Sequence, residues 1–203
     1  MAKKKNRLSA EAALEKLKEG NQRYVKNEPV TYQDLSARDD FKNGQKPYAA
    51  ILSCADSRVS PEIMFNVGMD EVFVIRVAGN IADTTSIASI EYAVAELNTN
   101  LIVVMGHESC GAVGAALAND AEAMDLGYNL NTLLAHINPA VVAAKKKRNY
   151  KKDPLAATVK VNAKLTADEL RTRSPIISGA KGVKIVWGYY NLITGKVEFS
   201  DFV

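Results

Sequence analysis

The chain has 203 residues, 47% of them apolar and 24% charged, with a formal net charge of +3. That balance suits one compact domain with a substantial core, and so small a charge gives no electrostatic reason to invoke nucleic acid or a membrane as partner. Two cysteines are too few for a secreted disulfide scaffold, no apolar run approaches the roughly twenty residues of a membrane span, and the basic N-terminus lacks a signal-like apolar stretch, so the expected address is cytoplasmic, a removed leader aside.

Residues 9–26 set Ala13, Leu14, Leu17, Tyr24 and Val25 at helical spacing, with Ser9 placed to cap the first turn. The next twenty residues are polar and broken by Pro29, Gly44 and Pro47, the kind of long arm that wraps a neighbour or roofs a site. Residues 48–53 and 71–77 are short apolar runs that read as buried strands. Between 84 and 97, Ile87, Ile90, Ala93, Val94 and Leu97 share one helical face. Residues 101–105 form a third strand, a helix begins at Gly111, and further helices are expected over 130–148 and 155–173. Residues 184–190 and 196–199, joined by a turn, read as a terminal hairpin. Continuous apolar strands alternating with amphipathic helices predict one α/β domain: a mainly parallel central sheet flanked by helices, with a projecting N-terminal helical arm (1–47), a core (48–203) and a C-terminal hairpin. Ligands of such sheets sit beyond the carboxyl ends of the strands.

Cys54 ends the first strand, and His107 and Cys110 follow the third within GHESCG. Two thiolates and an imidazole suit zinc rather than magnesium, calcium or manganese, and three protein ligands leave one tetrahedral position open for chemistry. Gly106 and Gly111 are read as letting the loop turn and the backbone approach the metal. Taken singly, each cysteine also has the plainer reading of an inert buried residue, and His-x-x-Cys alone is a weak pattern. Asp56 and Arg58, two residues apart in Cys-Ala-Asp-Ser-Arg, are spaced to pair as carboxylate and guanidinium. That pair fits either an oriented carboxylate beside a metal or an ordinary ion pair in a turn.

At these residues the chain resembles the beta-class carbonic anhydrases, whose pattern is Cys-x-Asp-x-Arg followed some fifty residues later by His-x-x-Cys. The resemblance implies that Cys54, His107 and Cys110 bind one Zn2+ per subunit, with Asp56 and Arg58 as the catalytic dyad and Asp56 a possible fourth ligand in a closed state. It implies that Gln45 and the Gly111 amide meet substrate, and that Phe73 and Tyr92 line an apolar pocket. It further implies a homodimer or dimer-based tetramer and the reversible hydration of carbon dioxide to bicarbonate by a zinc-bound hydroxide. Two thiolates should acidify bound water less than three histidines do, so activity is expected to rise at somewhat alkaline pH. Two departures matter: Val77 stands where many relatives carry Asn, and Ile51 stands where a regulatory bicarbonate pocket needs Trp. The second sets Arg76, Tyr189 and Tyr190 aside as pocket residues and predicts a zinc that keeps its water.

Two other functions remain open at this point. The same centre could act on carbon disulfide or carbonyl sulfide, or a zinc-stabilised module could serve without catalysis, although Asp56 and Arg58 would then have no task. His136, the basic run 145–152, Trp187 and the pair Asp70-Glu71 have plain readings as packing, a helix end, core and a solvated turn.

Overall fold

The computed structural model describes residues 8–28, 41–122 and 125–203. Helix α1 (Ala10–Val25) starts where Ser9 accepts a hydrogen bond from the Ala12 amide. Strand β1 (Ala49–Ser53) leads to a short helix α2 (Pro61–Met64), and β2 (Val72–Arg76) ends in a single 3₁₀ turn (Ala78–Asn80). Helix α3 (Thr84–Ala95), capped by Asp83, precedes β3 (Leu101–His107). Helices α4 (Gly111–Glu122), α5 (Tyr128–Ala144), α6 (Pro154–Arg173) and α7 (Pro175–Gly179) come before the hairpin of β4 (Lys184–Tyr190) and β5 (Val197–Phe199).

The sheet order is β2-β1-β3-β4-β5, parallel except for the final antiparallel pair. Alternate residues of the central strands enter opposite layers. Ile51, Val103 and Val186 pack with Leu14 and Leu17 of α1 and with Met64 and Phe65. Leu52, Ile102, Val104 and Ile185 pack with Ile87, Ile90 and Leu170 on the other face. Burial on both faces is why these strands read as unbroken apolar runs rather than as an alternation.

Several expectations meet a different geometry. Strand β3 runs two residues beyond the expected end, because Gly106 and His107 continue the ladder opposite Tyr189 and Tyr190. One face of the expected N-terminal helix, α1, packs on the chain's own sheet, with Ala13 and Leu17 fully buried. Residues 29–40 of the expected arm lie outside the described residues. Asp70-Glu71 lies in a partly exposed turn, as expected, but its carboxylates are engaged: Asp70 accepts from the Lys46 amide, and Glu71 accepts from Lys16 and from the Gly68 amide.

After β2 the chain crosses β1 to form β3 on its other side, so the carboxyl ends of β1 and β3 flank the point where the direction of winding reverses. A crevice opens there by construction.

Candidate metal centre

Cys54 leaves β1, His107 closes β3 and Cys110 precedes α4, so the crevice gathers all three. Their ligand atoms lie within 4.8 Å of one another, and the residues are 4%, 0% and 1% exposed. The loop between His107 and Cys110 reverses at Ser109, whose φ of 54° is left-handed. That turn belongs to Ser109 and not to the flanking glycines. Gly106 serves packing instead: a Cβ there would stand 2.8 Å from Val159 Cγ1, so its absence lets α6 lie close on β3. At Gly111 a Cβ would meet nothing within 4 Å.

The hydrogen bonds prepare each ligand. His107 Nδ1 stands 2.9 Å from the Glu108 carbonyl oxygen, which only accepts, so Nδ1 carries the proton and Nε2 presents a lone pair. Among the described residues, Nε2 is buried without a hydrogen-bond partner. The Cys54 thiol is drawn down to about 4, chiefly because the Cys110 thiol donates to it, and against the cost of burial. Cys110 is pushed up by the same contact, by burial and by the negative charge on Cys54, while the Ala112 and Val113 amides of the first turn of α4 oppose the rise. A divalent ion bound here would take both sulfurs as thiolates and expel any proton they hold. A buried imidazole nitrogen with no partner beside two such sulfurs fits zinc.

Asp56 and Arg58 are the dyad that their spacing suggests. Asp56 Oδ1 accepts from the Arg58 amide at 3.0 Å and from Nε at 2.9 Å, and Oδ2 accepts from Nη2 at 2.7 Å. This holds the carboxyl well below the usual carboxylate range, mainly through the Arg58 side chain and with help from the Arg58 amide, against the cost of burial. Arg58 Nη2 also reaches the Ser109 carbonyl at 3.2 Å, so one guanidinium ties the Cys54 loop to the His107–Cys110 loop. Asp56 Oδ2 comes within 3.9 Å of His107 Nε2, placing a fixed negative charge at the rim of the trio.

The carbonic anhydrase family profile matches residues 49–197. The fold is shared with the solved structure of the beta-carbonic anhydrase CcaA, at 27% identity and a TM-score of 0.69 over 94% of this chain and 91% of that one. The chain belongs to the beta-class carbonic anhydrases.

Among relatives of this beta-class carbonic anhydrase, carbonic anhydrase 2 of Mycobacterium tuberculosis is 44% identical over 136 residues. That match covers 66% of this chain and 66% of the relative, just under two thirds of its length. The carbonic anhydrase of Mycolicibacterium smegmatis is 36% identical over 94% of this chain and 93% of its own.

Within one chain of this carbonic anhydrase, Gly111 adjoins the trio at the start of α4, but Gln45, Phe73 and Tyr92 do not. Gln45 precedes β1, at the end of the strand remote from Cys54. Phe73 is paired with Ala50, four residues before Cys54, about 13 Å along a strand. It contacts Tyr92 with ring centroids 6.2 Å apart, and Tyr92 is 50% exposed. Sequence reasoning missed three supports. Arg76 donates to the carbonyls of Cys54 (3.1 Å) and Asp56 (2.6 Å), and the Gly79 amide donates to Cys54 Sγ (3.3 Å). Glu108 anchors the other ligand loop by accepting from the Leu192 amide at 2.9 Å. The place of Arg76 follows from strand register, which sets it opposite Ser53 and is not written in the sequence.

Among the described residues, no helix is long and apolar enough to cross a membrane.

Proposed function

We propose that the chain catalyses the reversible hydration of carbon dioxide to bicarbonate and a proton, using one zinc ion per subunit held by Cys54, His107 and Cys110. Bound there, zinc supplies the nucleophile by lowering the pKa of a water to make hydroxide available, to about 7 in the three-histidine carbonic anhydrase centre and somewhat higher with two thiolate donors. The observation that carries this reading is the buried trio, with its bare imidazole nitrogen and the arginine-fixed carboxylate at its rim.

Asp56 accepts a hydrogen bond from the nucleophile and aims it. The engagement of both its oxygens by Arg58 supports an open resting site, in which the fourth position is left to an oxygen ligand and not taken by Asp56. The Gly111 amide, one of the first-turn donors that α4 leaves without an intrahelical partner, meets charge growing on the substrate oxygens. Gln45, Phe73 and Tyr92 serve the site of a neighbouring copy in a homodimer or dimer-based tetramer. Their distance along the strands from their own trio and the exposure of Tyr92 support that role. The free state of both cysteines suits a reducing, cytoplasmic setting.

Stopped-flow hydration of carbon dioxide, followed with a pH indicator, tests the proposal. Fast proton release should vanish with chelation, return with zinc and grow toward alkaline pH. Fast release by protein shown to be free of metal would overturn it.

A further inference from the structure

We propose that Asn162 and Gly79 are positioning residues that set how strongly the Cys54 sulfur donates to its metal. This rests on the reading that the trio holds zinc.

Asn162 lies on α6, far from the ligand loops in sequence and 2% exposed. Its Nδ2 donates to the Gly79 carbonyl at 2.8 Å, and the Gly79 amide donates to Cys54 Sγ at 3.3 Å. Gly79 has φ 69° and ψ 14°, and Asn80 after it has φ 46°. Two consecutive left-handed residues lie outside any regular ladder, so the direction of the Gly79 amide is not inherited from a helix or a strand. It is held from both sides: Asn162 grips the carbonyl, and the left-handed φ favours a glycine, where a Cβ would crowd Ile137 Cδ1 at 2.7 Å and Ala112 Cβ at 3.3 Å. What remains for the N–H is the sulfur. An N–H···S bond withdraws electron density from a thiolate and fixes its lone pairs, so α6 reaches the metal centre through one peptide.

The test uses the full chain loaded either with cobalt(II), whose thiolate charge-transfer absorption reads sulfur donation, or with zinc, whose release to a chromogenic chelator reads its hold. Asn162→Ala removes the side chain, and Asn162→Asp keeps its size but presents a carboxylate that cannot donate. Leu170→Ala, buried on the same helix, loosens packing without touching Gly79. Both Asn162 variants should move the charge-transfer band to lower energy, because the sulfur keeps more of its electron density, and release zinc about tenfold faster, because its lone pairs are no longer held toward the metal. Leu170→Ala should melt earlier yet stay within twofold of the parent in release, with the same band. If Asn162→Ala is too unstable to load, Asn162→Asp decides the matter through the same two measurements. Unchanged band and release in the Asn162 variants overturn the inference, as does an equal response from Leu170→Ala. Failure of the parent chain to show any cobalt–thiolate absorption would bring down the zinc reading and this one with it.

Discussion

Asp56 meets Arg58 through three hydrogen bonds, and the same guanidinium reaches on to Ser109. A carboxylate held this way stays ionised throughout the working pH range, so it acts as a fixed acceptor and carries no proton of its own. Asp56→Asn keeps the shape and one oxygen for Arg58 but removes the charge and half of the accepting capacity. We expect kcat/KM for hydration to fall by about 100-fold or more, the usual range for losing one preorganised hydrogen-bonding group at the reacting atoms, with zinc content near that of the parent. Stopped-flow assay beside metal analysis checks this; activity within about threefold of the parent would remove Asp56 from the mechanism. Both partners are legible in the sequence because they sit two residues apart, where chain connectivity alone brings them together. The hold of Arg76 on the Cys54 and Asp56 carbonyls is not, because it comes across the sheet and depends on strand register.

At the scale of elements, the strands and long helices are legible because each buries enough side chains to impose a period. Helices α2 and α7, of four and five residues, are too short to show one. Gly106 reads in the sequence as a turn residue, whereas its freedom from a side chain is used by α6. Gly106→Ala would press a methyl into Val159 and push α6 off β3 next to His107, for a loss of about 1–3 kcal/mol in a urea melt. A melt unchanged to within a few tenths of a kcal/mol would show that α6 gives way without strain. Glu71 joins α1 to the segment before β2 through Lys16 and Gly68. Burial works to raise its pKa, but Lys16 and the Gly68 amide outweigh it, and the net shift is downward. A depressed carboxylate stabilises the fold above its unfolded pKa, near 4.3, and that contribution fades as pH falls through the lower folded value. Glu71→Gln should therefore melt about 2–4 °C below the parent at pH 7, for about 1 kcal/mol at this chain length, and the gap should close toward pH 3. A gap independent of pH would point to lost packing and not to lost charge.

For the whole molecule, the metal centre is also a joint. Its candidate ligands leave the ends of the paired strands β1 and β3 and the head of α4, which itself packs against α5 and α6. Without an ion, two buried sulfurs and the buried His107 Nε2 face one another with no cation between them, a cost the folded state bears alone. On the proposed reading, zinc would satisfy all three atoms in the folded chain, while the unfolded chain scatters them and binds far more weakly. Linkage then sets the size of the effect: free zinc at about 1,000 times its dissociation constant stabilises by about 4 kcal/mol. For a chain of this length each kcal/mol moves Tm by about 2–4 °C, so chelated protein should melt roughly 8–16 °C earlier in calorimetry, and zinc should restore the higher Tm. The loss should be cooperative across the molecule, because the clusters on both faces of the sheet share strands β1 and β3. If the chelated protein melted at the parent temperature, the three ligands would be no joint, and the ion would have to be held at little cost or benefit to the fold.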